Sequence, residues 1–215
     1  LTFLPFILVM AIGCNHIEAA VWSAFGTESL LILCSIYRSR YNDAVPAVMI
    51  LDGGLWVGFL GQGIAIAVTS AKDVLYNCAL VSPINTSVLF GVTLLSMIVC
   101  VPFTIQFARS SVPPDVAKSE RFLKANMILT SLWLAVFGVM CISSWCGYVY
   151  FRDNQNGAGY IILATVIPIC APIAGSILTS MLVDSMKKKA EKYKQSTTQE
   201  GGQDLEEGQT GGPVY

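Results

Sequence analysis

Two acidic residues, Glu28 and Asp52, interrupt long apolar runs of the sequence and are its strongest signal for chemistry. Glu28 lies nine residues before Tyr37, and Asp52 lies eight residues after Ala44. If these runs form consecutive antiparallel membrane helices, a rise of about 1.5 Å per residue puts both carboxyl groups roughly 12–14 Å from the same membrane boundary. The two groups would then lie at equal depth and close together.

The chemistry expected of such a pair is proton or cation handling. A charged side chain at the centre of a bilayer costs about 2.5–3.5 kcal/mol on insertion scales, so such residues usually face the bundle interior or water. Two neighbouring carboxylates repel each other, which favours a shared proton or a bound cation. No Lys or Arg lies deep in an apolar run to pair with them. The alternatives are two protonated acids that hydrogen-bond to neighbouring helices, or a wet crevice around Glu28.

Composition and six mostly apolar stretches predict a membrane protein. Hydrophobic residues make up 54% of the chain and charged residues 13%, whereas a soluble domain has about 25% charged residues. A spanning helix needs about 20 apolar residues, and all stretches but the first are long enough. Because the chain begins at Leu1 without Met, we expect the first to be the outer part of a longer helix, with a cleaved signal peptide as the alternative. The stretches are Leu1–Cys14, Ala19–Tyr37, Ala44–Val68, Val88–Ala108, Phe122–Val149 and Ala158–Val183.

The basic residues predict the orientation of these stretches. Eleven of the thirteen Lys and Arg residues lie around the gaps after stretches two, four and six. Loops rich in Lys and Arg stay cytoplasmic. We therefore predict six spans with both termini in the cytoplasm (N-in/C-in). The residues are Arg38, Arg40, Arg109, Lys118, Arg121, Lys124, Lys187, Lys188, Lys189, Lys192 and Lys194.

The predicted fold is all-α, a polytopic membrane helix bundle over residues 1–184. Backbone groups in lipid must be satisfied within a helix or a closed barrel, and the apolar runs lack the alternation of barrel strands. Residues 185–215 contain too few apolar side chains to offset their ordering entropy, which predicts a disordered cytoplasmic tail. The five Lys residues at its start predict binding to anionic lipid: Lys187, Lys188, Lys189, Lys192 and Lys194.

The run around Pro102 is the most distinctive polar interruption near a predicted helix end. Pro102 cannot donate a hydrogen bond to the Ile98 carbonyl, which predicts a kink and makes Pro102 a hinge candidate. Thr104 and Gln106 follow, and Arg109 can reach the lipid headgroups. The run is either a kinked helix end that Arg109 anchors or a polar vestibule that contacts an ion or anion.

The segment Pro102–Arg109 resembles a motif, Pro-Phe-Thr-x-Gln-aromatic-Ala-Arg, of a family of uncharacterised, mainly bacterial multi-pass membrane proteins. In that family a Pro-containing turn follows, and the next helix opens with Asn and Thr and carries a Trp. Here these look like Asn126, Thr130 and Trp133. The resemblance covers Leu4–Val149 and implies the fold and topology without supplying a chemistry. It adds Asn126 and Thr130 to the vestibule candidates.

Small residues and prolines suggest where helices approach each other or bend. Gly54, Gly58 and Gly61 form a stripe that lets a second helix come close, with a substrate path as the alternative. Pro168 and Pro172 lie four residues apart on one face of the sixth stretch and are hinge candidates.

Metal, cofactor and nucleic-acid signatures are not found in the sequence. His16 is the single histidine, and a zinc site needs more ligands than it can supply. The cysteines form no C-x-x-C pair and are interpreted as small apolar residues, although a disulfide among Cys14, Cys78 and Cys146 stays open. Asn85 begins a glycosylation sequon on the predicted outer side.

Three function classes remain for this multi-pass integral membrane protein. A transporter of a small solute or ion, driven by protons or not, is supported by Glu28, Asp52 and the prolines. A membrane scaffold or assembly factor is supported by the small-residue stripe and the tail. A membrane-embedded enzyme has least support, because no nucleophile–base pair is present. The expected partners are the lipid bilayer, anionic lipids at the tail and a second copy of the chain; we expect no cofactor and no nucleic acid.

Overall fold

The described part of the chain is helical. The computed structural model describes residues 5, 9, 16–41, 46, 48–68, 80–109, 112–151, 154 and 157–207, and the side chains of residues 114 and 189–207 lie outside its described part. Every element it contains is a helix, and no strand occurs among the described residues. The predicted all-α class is confirmed.

Long helices make up most of the described residues. A pair of short helices separates the third and fourth long ones, and a π-helical turn, Ile162–Val166, interrupts the last one near its start. The elements are α1 (Ile17–Ser39), α2 (Ile50–Val68), α3 (Val81–Ile98), α4 (Phe103–Ala108), α5 (Pro114–Ala117), α6 (Glu120–Phe151), α7 (Ala158–Ile161) and, after the π turn, α8 (Ile167–Glu207).

Five helical segments are long and apolar enough to cross a membrane: α1, α2, α3, α6 and Ala158–Lys188. Large apolar side chains cover their outward faces, among them Leu30, Val57 and Ile142, which are 64%, 64% and 67% exposed. Soluble proteins rarely expose apolar surface of this extent, whereas lipid accommodates it. The architecture is compatible with a multi-pass integral membrane protein. Of the first predicted stretch, only Pro5 and Val9 belong to the described residues.

Consecutive long helices pack antiparallel to one another. Between α1 and α2, Trp22 lies against Gly63 while Ser29, further along α1, bonds to Trp56, which lies earlier in α2. The same reversal relates α2 to α3, α3 to α6, and α6 to the π turn. The interior of residues 1–175 is a continuous apolar core built from Ile17, Val21, Leu51, Leu55, Phe59, Leu89, Phe103, Trp133, Phe137 and Met140.

The small-residue stripe of α2 meets α3 at two of its three positions. A Cβ atom at Gly54 would overlap the Val92 side chain, and one at Gly58 would lie 3.3 Å from Val88 Cγ2. A Cβ at Gly61 would meet no atom of the described residues within 4 Å. Gly54 and Gly58 therefore bring α2 and α3 close together, and Gly61 does not contribute to this contact.

The fourth predicted span differs from the structure. Instead of one kinked helix over Val88–Ala108, α3 ends at Ile98 and α4 begins at Phe103. Between them Cys100 takes a φ of 56°, in the left-handed region that interrupts a helix. Pro102 stands just before α4, at a position that needs no N–H for the helix. The proline thus precedes a new short helix, and its role as a hinge stays a prediction.

The third predicted span, Ala44–Val68, also begins later than expected. Residues 48 and 49 are not helical and α2 starts at Ile50, so Asp52 lies in the first turn of the helix instead of eight residues into it. Ser35 donates a 3.1 Å hydrogen bond to the Pro46 carbonyl. The non-helical approach to α2 therefore lies beside the last turns of α1, and Asp52 still enters the bundle.

The last helix extends beyond the predicted membrane domain. α8 continues to Glu207, and the disorder predicted for residues 185–215 stays a prediction. Lys, Glu and Gln, which dominate this segment, have good helix propensity. The chain divides into two compact units, Leu1–Gly175 and Ser176–Tyr215, and the domain boundary at residue 184 stays a prediction.

The close approach of α2 and α3 predicts opposite effects for two Gly-to-Ala changes on one helix. Each change adds about 1 kcal/mol of helix propensity, but Gly54→Ala also overpacks against Val92, which typically costs about 1–3 kcal/mol. In detergent unfolding, Gly61→Ala should be as stable as the wild type or more stable, and Gly54→Ala less stable. Adding Val92→Ala should recover part of the Gly54→Ala loss. Equal stability of the two single variants would contradict the packing described here.

Candidate functional site

Glu28 is held inside the bundle by contacts on both sides of it in α1. The Phe25 ring packs on Trp56 of α2 with 5.3 Å between ring centroids, and Ser29 Oγ accepts a 3.0 Å hydrogen bond from Trp56 Nε1. These contacts turn the face of α1 that carries Glu28 toward the interior. Glu28 is 0% exposed.

Asp52 approaches Glu28 from the start of α2. Trp56, which contacts both neighbours of Glu28, lies one helical turn after Asp52, so the two acids belong to the same side of the α1–α2 interface. Asp52 is buried, and its charge interacts with that of Glu28. The structure thus brings together the two carboxyl groups that the sequence singled out.

The surroundings of the two acids differ in one decisive respect. Asp52 lies in the first turn of α2, where the helix dipole stabilises negative charge. Glu28 lies in the middle of α1, so no end of its own helix is near it. Neither Glu28 carboxyl oxygen has a hydrogen-bond partner among the described residues, and no described Lys or Arg forms an ion pair with it.

α3 adds a hydroxyl group at the same depth. Because Val92 lies opposite Gly54, the next residue, Thr93, is level with the first turns of α2. Thr93 is fully buried and its hydroxyl lacks a hydrogen-bond partner among the described residues. We call Glu28, Asp52 and Thr93 the inner polar layer. It offers carboxyl and hydroxyl oxygens, which can hold a proton or coordinate a hard cation.

The vestibule candidates do not form one group. Thr104 Oγ1 and Thr130 Oγ1 are 2.8 Å apart, and Thr104 also donates to the Asn126 carbonyl over 3.0 Å. All three are buried, and Asn126 Nδ2 donates to the Phe122 carbonyl. These bonds fasten α4 to α6, which favours a structural role for this cluster. An ion- or anion-binding vestibule stays a prediction.

The other two vestibule candidates lie elsewhere. Gln106 Oε1 accepts a 2.8 Å hydrogen bond from the Ile50 backbone N–H, one of the N–H groups at a helix start that lack a partner within the helix. Gln106 therefore links α4 to the start of α2, two residues before Asp52. Arg109, at the end of α4, is exposed.

A second polar cluster escaped the sequence reasoning. Gln62 Nε2 donates to Asn85 Oδ1 over 2.6 Å between α2 and α3. One turn earlier in α3, Ser82 Oγ lies 3.1 Å from Ser144 Oγ of α6 and donates to the Ala164 carbonyl over 2.9 Å. We call these residues the outer polar cluster. The one sequence feature that could have indicated this cluster is Gln62, a single amide side chain within an apolar run.

The outer polar cluster also explains two other sequence features. Asn85 is 1% exposed and bonded to Gln62, so the sequon asparagine is not accessible in the folded protein. Pro168 has no N–H to offer the Ala164 carbonyl four residues earlier, and Ser82 donates to that carbonyl. Pro172 lies inside α8, and the hinge role of both prolines stays a prediction.

The remaining candidates carry no site in the described residues. His16 is exposed before α1, and no group of three metal-ligating side chains occurs in the described part of the chain. Cys34, Cys100, Cys141, Cys146 and Cys170 are free. Cys14 and Cys78, the other candidates for a disulfide, lie outside the described residues.

Comparisons of the chain with protein-family models, with curated proteins and with solved structures find no match. The resemblance based on the Pro102–Arg109 motif therefore stays a prediction. The fold is helical and compatible with a multi-pass membrane protein, and its candidate site is a pair of buried carboxyl groups on neighbouring helices.

Proposed function

We propose that the protein transports protons or a small cation across the membrane, with Glu28 and Asp52 as the shared binding site. The observation that carries this proposal is the complete burial of Glu28 without a hydrogen bond or ion pair among the described residues. The charge of Asp52 acts on the same group.

A purely structural acid would be expected to have partners. Buried polar groups in folded proteins are nearly always hydrogen-bonded, and removing an unpaired charge from water costs several kcal/mol or more. The dipole of α2 stabilises Asp52 in the first turn of that helix, whereas Glu28 lies in the middle of its own helix and has no hydrogen-bond partner among the described residues. A proton or a cation that binds between the two carboxyl groups removes the excess charge and supplies the missing partner.

The proton is the simpler ligand. One proton between two carboxyl groups leaves a single negative charge in the layer and requires no fixed coordination geometry. A metal cation needs six or more oxygen ligands if it is Ca²⁺ or Mg²⁺, which is more than Glu28, Asp52 and Thr93 supply without water. If the inner polar layer is open first to one membrane face and then to the other, a proton bound there is carried across the membrane.

A scaffold or assembly factor is the second candidate function. The close packing at Gly54 and Gly58 and the hydrogen bonds of Thr104 fix helices to one another without requiring a ligand. Under this proposal the partners are other membrane proteins or a second copy of the chain. An enzyme is the least supported class.

Proton flux in proteoliposomes tests the first proposal. With an imposed pH gradient, Glu28→Gln and Asp52→Asn should each abolish the flux or shift its pH dependence, since each removes one half of the shared site. The double variant should lose little more than either single variant, because coupled residues are not additive. Glu18→Gln is the matched control: Glu18 is exposed on the same helix and its loss should leave the flux unchanged.

The contrary outcome is equally specific. An amide preserves the shape of the acid, so both carboxamide variants should fold, which size-exclusion chromatography can verify. If they retain wild-type flux, or if the wild type shows none for protons or cations, while Gly58→Leu disrupts assembly, the scaffold proposal replaces the transport proposal.

We further propose that the chain has six spans with both termini in the cytoplasm. The proposal is supported by the distribution of Lys and Arg, because the ends of α1 and α4 carry Arg38, Arg40 and Arg109. The exposed Lys187 and Lys188 would then face the cytoplasmic leaflet. Its anionic lipids attract each basic residue near the surface by about 1 kcal/mol.

Cysteine labelling tests this topology. In a background without the native cysteines, Ser39→Cys and Ser185→Cys should react with a membrane-impermeant maleimide only from the cytoplasmic side, and Asn154→Cys only from the outside. Permeabilised membranes provide the positive control for each position. Labelling at Ser185→Cys from outside would overturn the orientation.

A further inference from the structure

The outer polar cluster contains an unsatisfied pair of amide groups. Gln62 is 5% exposed and Asn85 is 1% exposed. Their mutual hydrogen bond uses Gln62 Nε2 and Asn85 Oδ1, and it leaves Gln62 Oε1 and Asn85 Nδ2 without a partner among the described residues. One free acceptor and one free donor thus remain side by side between α2 and α3.

This conclusion does not depend on how the two amides are oriented. The O and N atoms of an amide are assigned from the hydrogen-bond network. In the present orientation Gln62 Nε2 also donates to the Gly58 carbonyl over 3.3 Å. If both amides were turned over, Gln62 would accept from Asn85, and one free donor and one free acceptor would still remain. A ligand that fills the pair must therefore both accept and donate a hydrogen bond.

The chemistry of the site restricts that ligand to a small neutral molecule. The polar side chains of the outer polar cluster are amides and hydroxyls: Gln62, Asn85, Ser82 and Ser144. Thr86, which donates to the Ser82 carbonyl, adds one more hydroxyl beside them. None of them can compensate a buried ionic charge by pairing, which makes the entry of an ion unfavourable. A water molecule accepts and donates, fits a small gap and typically makes about three hydrogen bonds when buried.

The outer polar cluster lies on the line from the proposed outer face to the inner polar layer. Ser82 is in the first turn of α3, and Asn85 follows one turn deeper. Gln62 is ten residues from Asp52 on α2, which corresponds to about 15 Å along the helix. Leu55, Phe59 and Leu89, each at most 1% exposed, fill the interval between the two polar regions.

We infer that the Gln62–Asn85 amide pair binds a buried water molecule and, with Ser82 and Ser144, forms the outer half of the path by which protons reach Glu28 and Asp52. The binding of water stands on the unsatisfied amides alone; the role in the path rests on the proposed proton transport. The apolar layer of Leu55, Phe59 and Leu89 then separates the outer polar cluster from the inner polar layer and prevents a continuous leak of protons.

An experimental structure at a resolution that shows ordered water tests the binding directly. We expect a density peak within about 2.7–3.2 Å of both Gln62 and Asn85 side chains. In the double variant Gln62→Met, Asn85→Leu, which keeps similar volume without polar groups, the peak should be lost. If no peak appears between these residues while other buried waters are resolved, the water site is wrong.

Proton flux of the same double variant tests the path. Flux should fall at least about tenfold, since a 1.4 kcal/mol increase in the barrier suffices for that factor, and the protein should stay folded. Ser131→Ala on the exposed face of α6 serves as the control and should retain full flux. If the double variant matches the wild type in flux, the outer polar cluster does not lie on the path. If the wild type carries no proton flux, the proposed transport is wrong. The density peak between Gln62 and Asn85 still shows, independently of transport, whether water binds there.

Discussion

The arrangement of the helices depends on one constraint: the acidic side chain of Glu28 lies in the interior of an apolar bundle, without a hydrogen-bond partner among the described residues. Glu28 is fully buried, and no end of its own helix is near it. Our proposal is that a proton or a cation stabilises it there. The contacts of Phe25 and Ser29 with Trp56 keep Glu28 in the interior and prevent α1 from rotating to expose it.

The neighbouring contacts bring the second acid into range. Gln106 satisfies the N–H group of Ile50 at the beginning of α2, and the hydrogen bonds of Thr104 fix α4 on α6. Gly54 and Gly58 allow α3 to approach α2 closely enough for Thr93 to reach the same depth. The residues that pack and hydrogen-bond the helices thus also position the inner polar layer of Glu28, Asp52 and Thr93.

Part of this arrangement could be predicted from the sequence. Helical class followed from apolar runs that must satisfy their own backbone groups in lipid, and the proximity of Glu28 and Asp52 followed from their distances to one predicted loop. The depth argument for Asp52 assumed a helix from Ala44, whereas α2 begins only two residues before Asp52, and the depth of Asp52 in a membrane stays a prediction. Tertiary contacts with α1, not helix length, carry the chain into the bundle there.

The rest depends on interactions between residues distant in the sequence. Pro102 indicates an interruption of the helix, but whether the helix kinks or ends there depends on the backbone at Cys100. Cys100 has a positive φ, which a cysteine at this position does not predict. The pairing of Gln62 with Asn85 and of Ser82 with Ala164 joins separate helices, and hydropathy does not register it. The separation of Gln106 from the Thr104 cluster likewise follows from the position of α2.

The most direct test of the central claim is the titration of Glu28 by infrared spectroscopy on the protein reconstituted in lipid. The stretching band of a protonated carboxyl group that disappears in Glu28→Gln identifies Glu28. If the two acids share one proton, the pH dependence of that band must change in Asp52→Asn, because coupled groups titrate together. A Glu28 band whose titration is the same in the wild type and in Asp52→Asn would contradict the shared site.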